Sequence, residues 1–580
     1  MLQFDVADDR LERVVFVFAE DKVSQSLAPN RPSSSAPRRK QFLPGPPARA
    51  TAWGTKNKLP EFPIPQDVRE LLQNKQVPGG LEGGLSRENY ATFFITLLIM
   101  EELHLEPNVT FQGYIHCVAA DEVLLRLYDD LQAFHWNGNL HDVQFTYNRV
   151  NMRRLYQAVE AAESLDPDLL FPSESTQRRL TQIAEISPFS RLNEEQNHSV
   201  EMILQCDGAP PCVIFGPPGT GKTMMLVEAM LQVYATRKNG QILVCAASNS
   251  AADHILQKLI SNEVANLKMF TPIAVAFATL RIPFSNALLE ALLQYRIIIS
   301  TCMSSSLLHA EGVKHGHFAH MFLDECGQAS EPEVMVPLSN FCSREILAGD
   351  PQQLGPVVYS KEAEAFGLGK SYLERLFESK VYSNGEKGFL TKLVKNYRGH
   401  PAILDLPSKL FYNAEPLACK EDTSSSILGF PPRQRIHCIA VMMKEKATLH
   451  NGRSQQGRGD YQQQVLKIKG ILENWEMSDV KVGSVEQFQG QEGEVIIVST
   501  VRSTVKHNHF DKTYSLGFLS NLKRFNVAIT RAKSLLIIVC NPHIASKVPT
   551  IFCSSSKTLL NIYMDDLVHS FSVGINKLKL

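Results

Sequence analysis

Gly216-Pro217-Pro218-Gly219-Thr220-Gly221-Lys222-Thr223 lies between the apolar run Val213-Ile214-Phe215 and the segment Met224 to Arg237, which carries Leu226, Met230 and Val233 on one helical face. A short buried strand, a glycine-rich loop, Gly-Lys-Thr and then a helix is the layout of a phosphate-binding P-loop. The glycines let backbone N–H groups converge on phosphate oxygens without Cβ clashes, and the helix N-terminus adds a favourable partial charge. In such a loop Lys222 reaches the β- and γ-phosphates and the Thr223 hydroxyl holds Mg²⁺. A bland Gly/Pro turn would match the glycines but not the flanking strand and helix.

Outward from this loop, short apolar runs alternate with helical patterns as far as residue 545. The strands are expected at Val213–Phe215, Ile242–Ala246, Ile297–Ser300, Met321–Leu323, Glu345–Ala348, Val495–Ser499 and Leu535–Val539. Such alternation predicts α/β units on parallel sheets. A turn signal at Ser383-Asn384-Gly385 divides the run into two lobes, with nucleotide expected between them.

A P-loop also needs an acid at a strand end to hold Mg²⁺. Met321-Phe322-Leu323-Asp324-Glu325 supplies it: Asp324 for the metal's shell, Glu325 to orient and deprotonate the attacking water. Gly349-Asp350-Pro351-Gln352-Gln353 follows the strand tail Ile346 to Ala348. The carboxyl ends of parallel strands face the ligand crevice, so Gln353 is placed to sense the γ-phosphate or position water; alone, the stretch reads equally well as a turn. In the second half Arg398, in Asn396-Tyr397-Arg398, and Arg531, in Arg524 to Ala532, stand out. A lone arginine is usually a surface ion pair. Beside these motifs, an arginine from a second lobe neutralises charge in the phosphoryl-transfer transition state.

Before the P-loop the chain is less regular. Val14 to Phe18 is strand-like and starts too near Met1 to have earlier strands beside it, so residues 1–23 read as the remnant of a β-domain. Residues 24–60, rich in Ser, Pro, Arg and Ala and including Arg38-Arg39-Lys40, read as a flexible basic linker. Tyr90 to Leu105 and residues 151–164 read as helices, with a β-rich stretch between that includes Val143 to Tyr147. Asn193 with Gln196 forms a capping-box signature opening a further helix.

At 580 residues the chain needs several domains. Its 44% hydrophobic and 21% charged content is that of a globular protein, and a net charge of −1 gives no global basic field. The 11 cysteines include no C-x-x-C pair, which argues against structural zinc. Phe93 to Met100 and Ile273 to Leu280, the longest apolar runs, are too short to cross a membrane, and no secretory signal opens the chain. A cytoplasmic protein with reduced thiols is expected.

Taken in order, GPPGTGKT at 216–223, DECGQ at 324–328, GDPQQLGPV at 349–357, NYRGHP at 396–401, GSVEQFQGQE at 483–492 and RFNVAITRA at 524–532 resemble the motifs of superfamily 1 helicases of the up-frameshift-like group. The runs FTYNRVNMRRLYQAVEAAE at 145–163, SNSAADHIL at 248–256 and LPSKLFYNAE at 406–415 resemble its Armitage-like branch, above all the plant members that act in post-transcriptional gene silencing. The resemblance implies two RecA-like lobes, residues 177–382 and 383–545, behind a helical stalk and partial accessory β-barrel at 61–176. It implies an ATP-dependent, Mg²⁺-requiring RNA helicase moving 5′ to 3′. Silencing effector complexes or cytoplasmic RNA granules are its implied partners, and no membrane. Gln196 would read the adenine edge and Tyr397 would stack on the base. Arg398 and Arg531 would be arginine fingers, and Glu492 would contact the sugar or γ-phosphate region. Ser248, Asn249, Ser250, Ser300 and Thr301 would touch the RNA backbone, gripping it without reading sequence.

The chain departs from the family at several places. Cys326 replaces an alanine and Ala247 a proline. The barrel is short between Glu106 and Phe111, and near 441–460 the Gly- and Gln-rich Asn451 to Gly459 stands where a helix and a strand of the second lobe are expected. Residues 546–580 match no expected element. These departures predict an incomplete or alternatively spliced product. They motivate one rival, a catalytically impaired RNA-binding scaffold. A DNA helicase of the same superfamily is the other, since backbone-gripping motifs do not separate the polymers.

Overall fold

The computed structural model describes residues 2–6, 9–17, 57, 59–74, 76–81, 83–104, 113–118, 122–127, 149–183, 189–237, 240–261, 274–276, 293–341, 344–383, 388–420, 436–440, 456–477, 479–499 and 521–540. The expected linker as far as residue 56, the strand at Val143 to Tyr147 and the tail from Ser546 lie outside these residues. Two compact units result, one drawing on Met1–Trp53, Glu102–Arg149 and Lys446–Gln456, the other on Gly54–Glu101, Val150–Glu445 and Gly457–Leu580.

The first unit is a four-stranded sheet of β1 (Leu2–Val6), β2 (Asp9–Val17), β3 (Gly113–Val118) and β4 (Glu122–Leu127), in the order β1-β2-β4-β3. The expectation that the first strand has nothing before it is corrected. Leu2–Val6 pairs antiparallel with β2, and Val14–Val17 of β2 runs parallel to Glu122–Leu125. The hairpin partner takes the first half of β2 and the distant strand takes the second half, so each residue of β2 has a paired neighbour.

The second unit contains the P-loop. After a short antiparallel pair, β5 (Arg179–Leu180) and β6 (Cys206–Asp207), come β7 (Cys212–Phe215), β8 (Gln241–Ala246), β9 (Ala274–Ala276), β10 (Ile297–Thr301), β11 (Phe318–Asp324), β12 (Arg344–Gly349) and β13 (Leu390–Lys392). The last seven form one parallel sheet in the order β13-β7-β12-β11-β8-β10-β9. Its inner strands are near-continuous apolar runs because both faces are covered. Ile214, Leu226, Met230, Val244, Phe322 and Ile346 share one core. Beyond the expected break near Ser383, β13 still pairs with Val213–Phe215, so this sheet extends to Lys392.

After the short pair β14 (Lys395–Asn396) and β15 (Leu417–Ala418), a smaller parallel sheet holds β16 (Ile436–Ala440), β17 (Gly493–Ser499) and β18 (Ala532–Cys540), in the order β16-β18-β17. The helices Pro401–Phe411 and Leu522–Ile529 cover it through Ile403, Leu406, Phe525 and Ile529, packed with Leu536 and Ile538. Among the described residues β17 pairs with β18 alone, and its Ile497 is 66% exposed. The helix Val150–Ala162 packs on Glu331–Phe341 beside the larger sheet. No described helix is long and apolar enough to cross a membrane.

Candidate active site

β7, β12 and β11 are neighbours in the sheet, so their carboxyl ends bring three loops together. β7 ends in the P-loop, β11 in Asp324-Glu325, and β12 in Gly349 followed by Asp350 and Gln353. The outer strand β13 delivers Asn396, Tyr397 and Arg398 to the same edge.

The loop Gly216 to Thr223 is held by its own polar groups. Thr220 Oγ1 donates to Pro217 O at 2.8 Å, and the buried Lys222 Nζ donates to Gly216 O at 2.5 Å. Gly219 and Gly221 adopt φ +85° and +80°, which side chains disfavour. A Cβ on Gly221 would lie 2.6 Å from Gln196 Nε2. The helix Lys222–Thr236 starts directly behind.

Gln196 sits in the capping box expected of it, accepting from Asn193 N while its own N–H donates to Asn193 Oδ1. Its amide Nε2 donates to Thr220 O at 3.0 Å, tying this helix to the P-loop. From the other side Asn396 Nδ2 donates to Pro218 O at 2.6 Å and Tyr397 N to Gly219 O at 2.9 Å. The Tyr397 ring is 47% exposed, and its hydroxyl accepts from Asn193 Nδ2 at 2.7 Å. Gln196 and Tyr397 thus lie on either side of the loop, bonded to Thr220 O and Gly219 O respectively.

Thr223 Oγ1 lies 3.4 Å from Asp324 Oδ2. Asp324 also accepts from Glu325 N at 2.9 Å, and Glu325 takes φ +56°, strained backbone of the kind that gathers at functional sites. Burial, and then the charge of Glu325, push the Asp324 carboxyl up to about 7, against the pull of Lys222. A hydroxyl beside a carboxylate is a hard oxygen set of the kind Mg²⁺ takes, completed by phosphate and water. The cradle also fits a triphosphate: positive-φ glycines where a Cβ would clash, a lysine on the loop and a helix N-terminus behind it. Thr223 and Asp324 would hold the metal, and the backbone of Gly216 to Lys222 the phosphates.

Gln353, buried, donates from Nε2 to Asp350 Oδ2 at 3.0 Å. Its Oε1 accepts from Arg531 Nη2 at 3.4 Å. Arg531 is 2% exposed and also donates to Val527 O and Thr530 Oγ1. Burial, and then the charge of Arg398, push its guanidinium down to about 9. Arg398 Nε donates to Glu492 Oε2 at 2.6 Å, and Lys533 Nζ reaches Glu492 Oε1 at 2.6 Å. Burial raises the Glu492 carboxyl, but Lys533 and Arg398 outweigh it and hold the group below the usual carboxylate range. Residues of both sheets therefore meet at the carboxyl end of the larger one.

The expected RNA contacts divide. Asn249 and Ser250 are exposed just past β8, where Ser248 Oγ accepts from Ala251 N and pairs with Ser250 Oγ at 3.1 Å. Thr301 caps the helix Cys302–Ala310, accepting from Ser304 N. Ser300 is corrected. It is fully buried in β10 and its hydroxyl donates to Thr301 O, so it presents no donor to a polymer. Alternation along a strand turns neighbouring side chains to opposite faces, and here both faces are covered.

Sequence reasoning read Asn193 only as a helix cap and gave no site role to Asn396, Tyr412, Asn526 and Lys533, all bonded to the residues above. Asn396 and Asn526 stand inside quoted motifs, so the signal was present. Tyr412 stands inside the quoted run 406–415, but nothing there points to its partner Asp350, 62 positions away.

Family models match in three places. The MOV-10 helicase β-barrel domain matches residues 75–145, one AAA domain matches 191–278 and 284–361, and a second AAA domain matches 459–543. RNA helicase Mov10l1 of Homo sapiens is 34% identical over 669 aligned positions, covering 85% of this chain and 55% of that protein. Mov10l1 of Mus musculus is 41% identical over 418, covering 62% and 35%. "Probable RNA helicase armi" of Drosophila melanogaster is 29% identical over 542, covering 76% and 45%. The chain thus spans about half of these relatives' length or less. The human alignment is longer than the chain's 580 residues, so it passes over stretches that this chain lacks. These relatives are animal proteins, and the likeness is not specific to plant members of the branch. In segment order and in sequence, the chain is similar to the up-frameshift-like AAA helicases that carry a MOV-10 β-barrel, the group of Mov10l1 and Armitage.

Proposed function

We propose that this chain is an ATP-driven RNA helicase that moves 5′ to 3′ along single-stranded or partly duplex RNA in cytoplasmic silencing pathways. The observation that carries the reading is the meeting of Lys222, Asp324, Gln353 and Arg531, contributed by both sheets, at one strand end. A helicase needs its hydrolysis site between two bodies that close and open, since that motion is what shifts a polymer. Mov10l1 and armi are named as RNA helicases, which favours RNA over DNA.

In this reading Gln196 and Tyr397 orient the base, and Lys222 with the loop amides holds the phosphates. Glu325 positions water and takes its proton. Gln353, Arg398 and Arg531 meet negative charge as it develops on the γ-phosphoryl group. Magnesium, when bound at Thr223 and Asp324, supplies further charge neutralisation. Asn249 and Ser250 offer exposed donors to phosphates. Unwinding of matched RNA and DNA duplexes with 5′ or 3′ overhangs is the test. Activity on 5′-tailed RNA is expected, and equal activity on DNA would move the reading to a DNA helicase.

A second reading, an RNA-binding scaffold, draws on the smaller sheet. Its edge strand leaves Ile497 open among the described residues, where a complete lobe would cover it. RNA binding without ATP turnover would favour it.

A further inference from the structure

Tyr412 closes the helix Pro401–Phe411, whose Ile403 and Leu406 belong to the core of the smaller sheet. Its ring lies 6.4 Å from Phe411 on its own side and 6.4 Å from Phe215, the last residue of β7 before the P-loop. Its hydroxyl donates to Asp350 Oδ2 at 2.7 Å, just past β12 of the larger sheet. The same hydroxyl accepts from Asn526 Nδ2 at 2.7 Å, and Asn526 also donates to Gln352 O at 2.9 Å. Asp350, Tyr412 and Asn526 are all buried, with Asn526 at 0% exposure.

That arrangement is costly unless it serves geometry. A buried carboxylate, phenol and amide lose hydration and recover it only through protein partners, here one another together with Gln352 and Gln353. Among the described residues Asn526 Oδ1 has no hydrogen-bond partner at all. An apolar trio of equal volume would pack the junction without that cost. What polar groups add is direction: Asp350 Oδ2 is shared between the Tyr412 hydroxyl and Gln353 Nε2, so the tyrosine fixes the carboxylate that fixes Gln353. Gln353 in turn accepts from Arg531, and Asn526 and Arg531 are both held by the segment that begins with the helix Leu522–Ile529. The chain of contacts is therefore a closed ring through both sheets: Asp350, Tyr412, Asn526, the helix, Arg531, Gln353 and back to Asp350.

We infer that Tyr412 is a positioning residue that registers the Gln353–Arg531 pair by holding Asp350 and Asn526 together across the two sheets. It touches no phosphate in the proposed site. It acts by making the glutamine and the arginine arrive as one unit. The inference rests on the ATP-hydrolysis reading given above for its kinetic consequence, but not for the ring itself.

Tyr412→Phe keeps the aromatic packing and removes only the hydroxyl. The expected result in RNA-stimulated ATP hydrolysis is a fall in kcat of about tenfold, with KM for ATP and RNA affinity changed less than about twofold. In a Gln353→Ala background the same change should cost nothing further, because the tyrosine acts through Gln353. A merely structural tyrosine would lower kcat by the same factor in both backgrounds. Amide hydrogen exchange on the full chain decides the matter independently of turnover. Tyr412→Phe should speed exchange at residues 350–354 and in Leu522–Ile529 together, leaving Val150–Ala162 unchanged. Wild-type protein without ATPase would overturn the proposed function while the exchange still reports on the ring. Unchanged exchange in both segments, or additive kinetic losses, would overturn the inference.

Discussion

Arg531 and Gln353 hydrogen-bond at 3.4 Å through Nη2 and Oε1, which joins the motif after the helix Leu522–Ile529 to the loop beyond β12. Neither reaches bulk solvent. An arginine so placed is desolvated beforehand, and under the proposed function a developing phosphoryl charge would meet it in a low-dielectric setting where it acts most strongly.

Arg531→Ala should therefore lower kcat for ATP hydrolysis by roughly 10³-fold or more, the range of arginine fingers elsewhere, with a small change in KM. Steady-state kinetics measure it, with circular dichroism confirming the fold. Arg531→Lys should recover little, since a lysine cannot serve Val527 O, Thr530 Oγ1 and Gln353 from one planar group.

Gly221→Ala places a Cβ 2.6 Å from Gln196 Nε2 on a backbone at φ +80°. The left-handed conformation costs a non-glycine residue about 1–2 kcal/mol, and the clash forces Gln196 away from Thr220 O. ATP-analogue affinity should fall at least about tenfold, with a lower melting temperature. Fluorescent-nucleotide titration and thermal unfolding check both.

Glu331 is a buried anchor away from the phosphates. It accepts from Tyr90 Oη at 2.7 Å and from Arg375 Nε and Nη2 at 2.8 and 2.6 Å, while Arg375 lies 4.7 Å from the Phe171 ring centre. Arg375→Ala would strand that carboxylate and should cost about 3–5 kcal/mol of stability, read from urea unfolding. Arg375→Lys should restore only part of it, because the paired guanidinium bonds are lost.

His320 gives the fold an acid sensitivity. It is fully buried in β11, and neither ring nitrogen has a hydrogen-bond partner among the described residues. Burial, then Arg344 and Arg237, push its imidazole down to about 3. The unfolded chain therefore binds a proton that the folded chain refuses between pH 6.5 and 3. Stability from this residue is complete above pH 6.5 and should fall by up to about 1.4 kcal/mol per pH unit below it. His320→Phe should flatten that slope in unfolding measured from pH 7 to 4.

The P-loop, Asp324-Glu325 and Gln353 were legible because each is a local string at the end of an apolar run. A parallel sheet carries such strings to one edge by construction. The Asn193–Gln196 capping box was legible for the same reason. Pairing between distant strands was not: nothing near Leu390–Lys392 says that it lies beside Val213–Phe215, and nothing in Val14–Val17 says that it runs beside Glu122–Leu125. Ser300 misled because the resemblance assigned it a role by its place in the chain, while its hydroxyl is buried in β10 and bonded to Thr301 O. Tyr412 and the Tyr90–Glu331 bond, 241 positions apart, follow from packing, which sequence spacing does not encode.

Lys222→Ala bears most directly on the claim that this site drives an RNA helicase. ATP hydrolysis by the full chain should be stimulated by single-stranded RNA and abolished by that substitution, with the melting temperature unchanged. Undiminished RNA-stimulated turnover in Lys222→Ala would contradict the account.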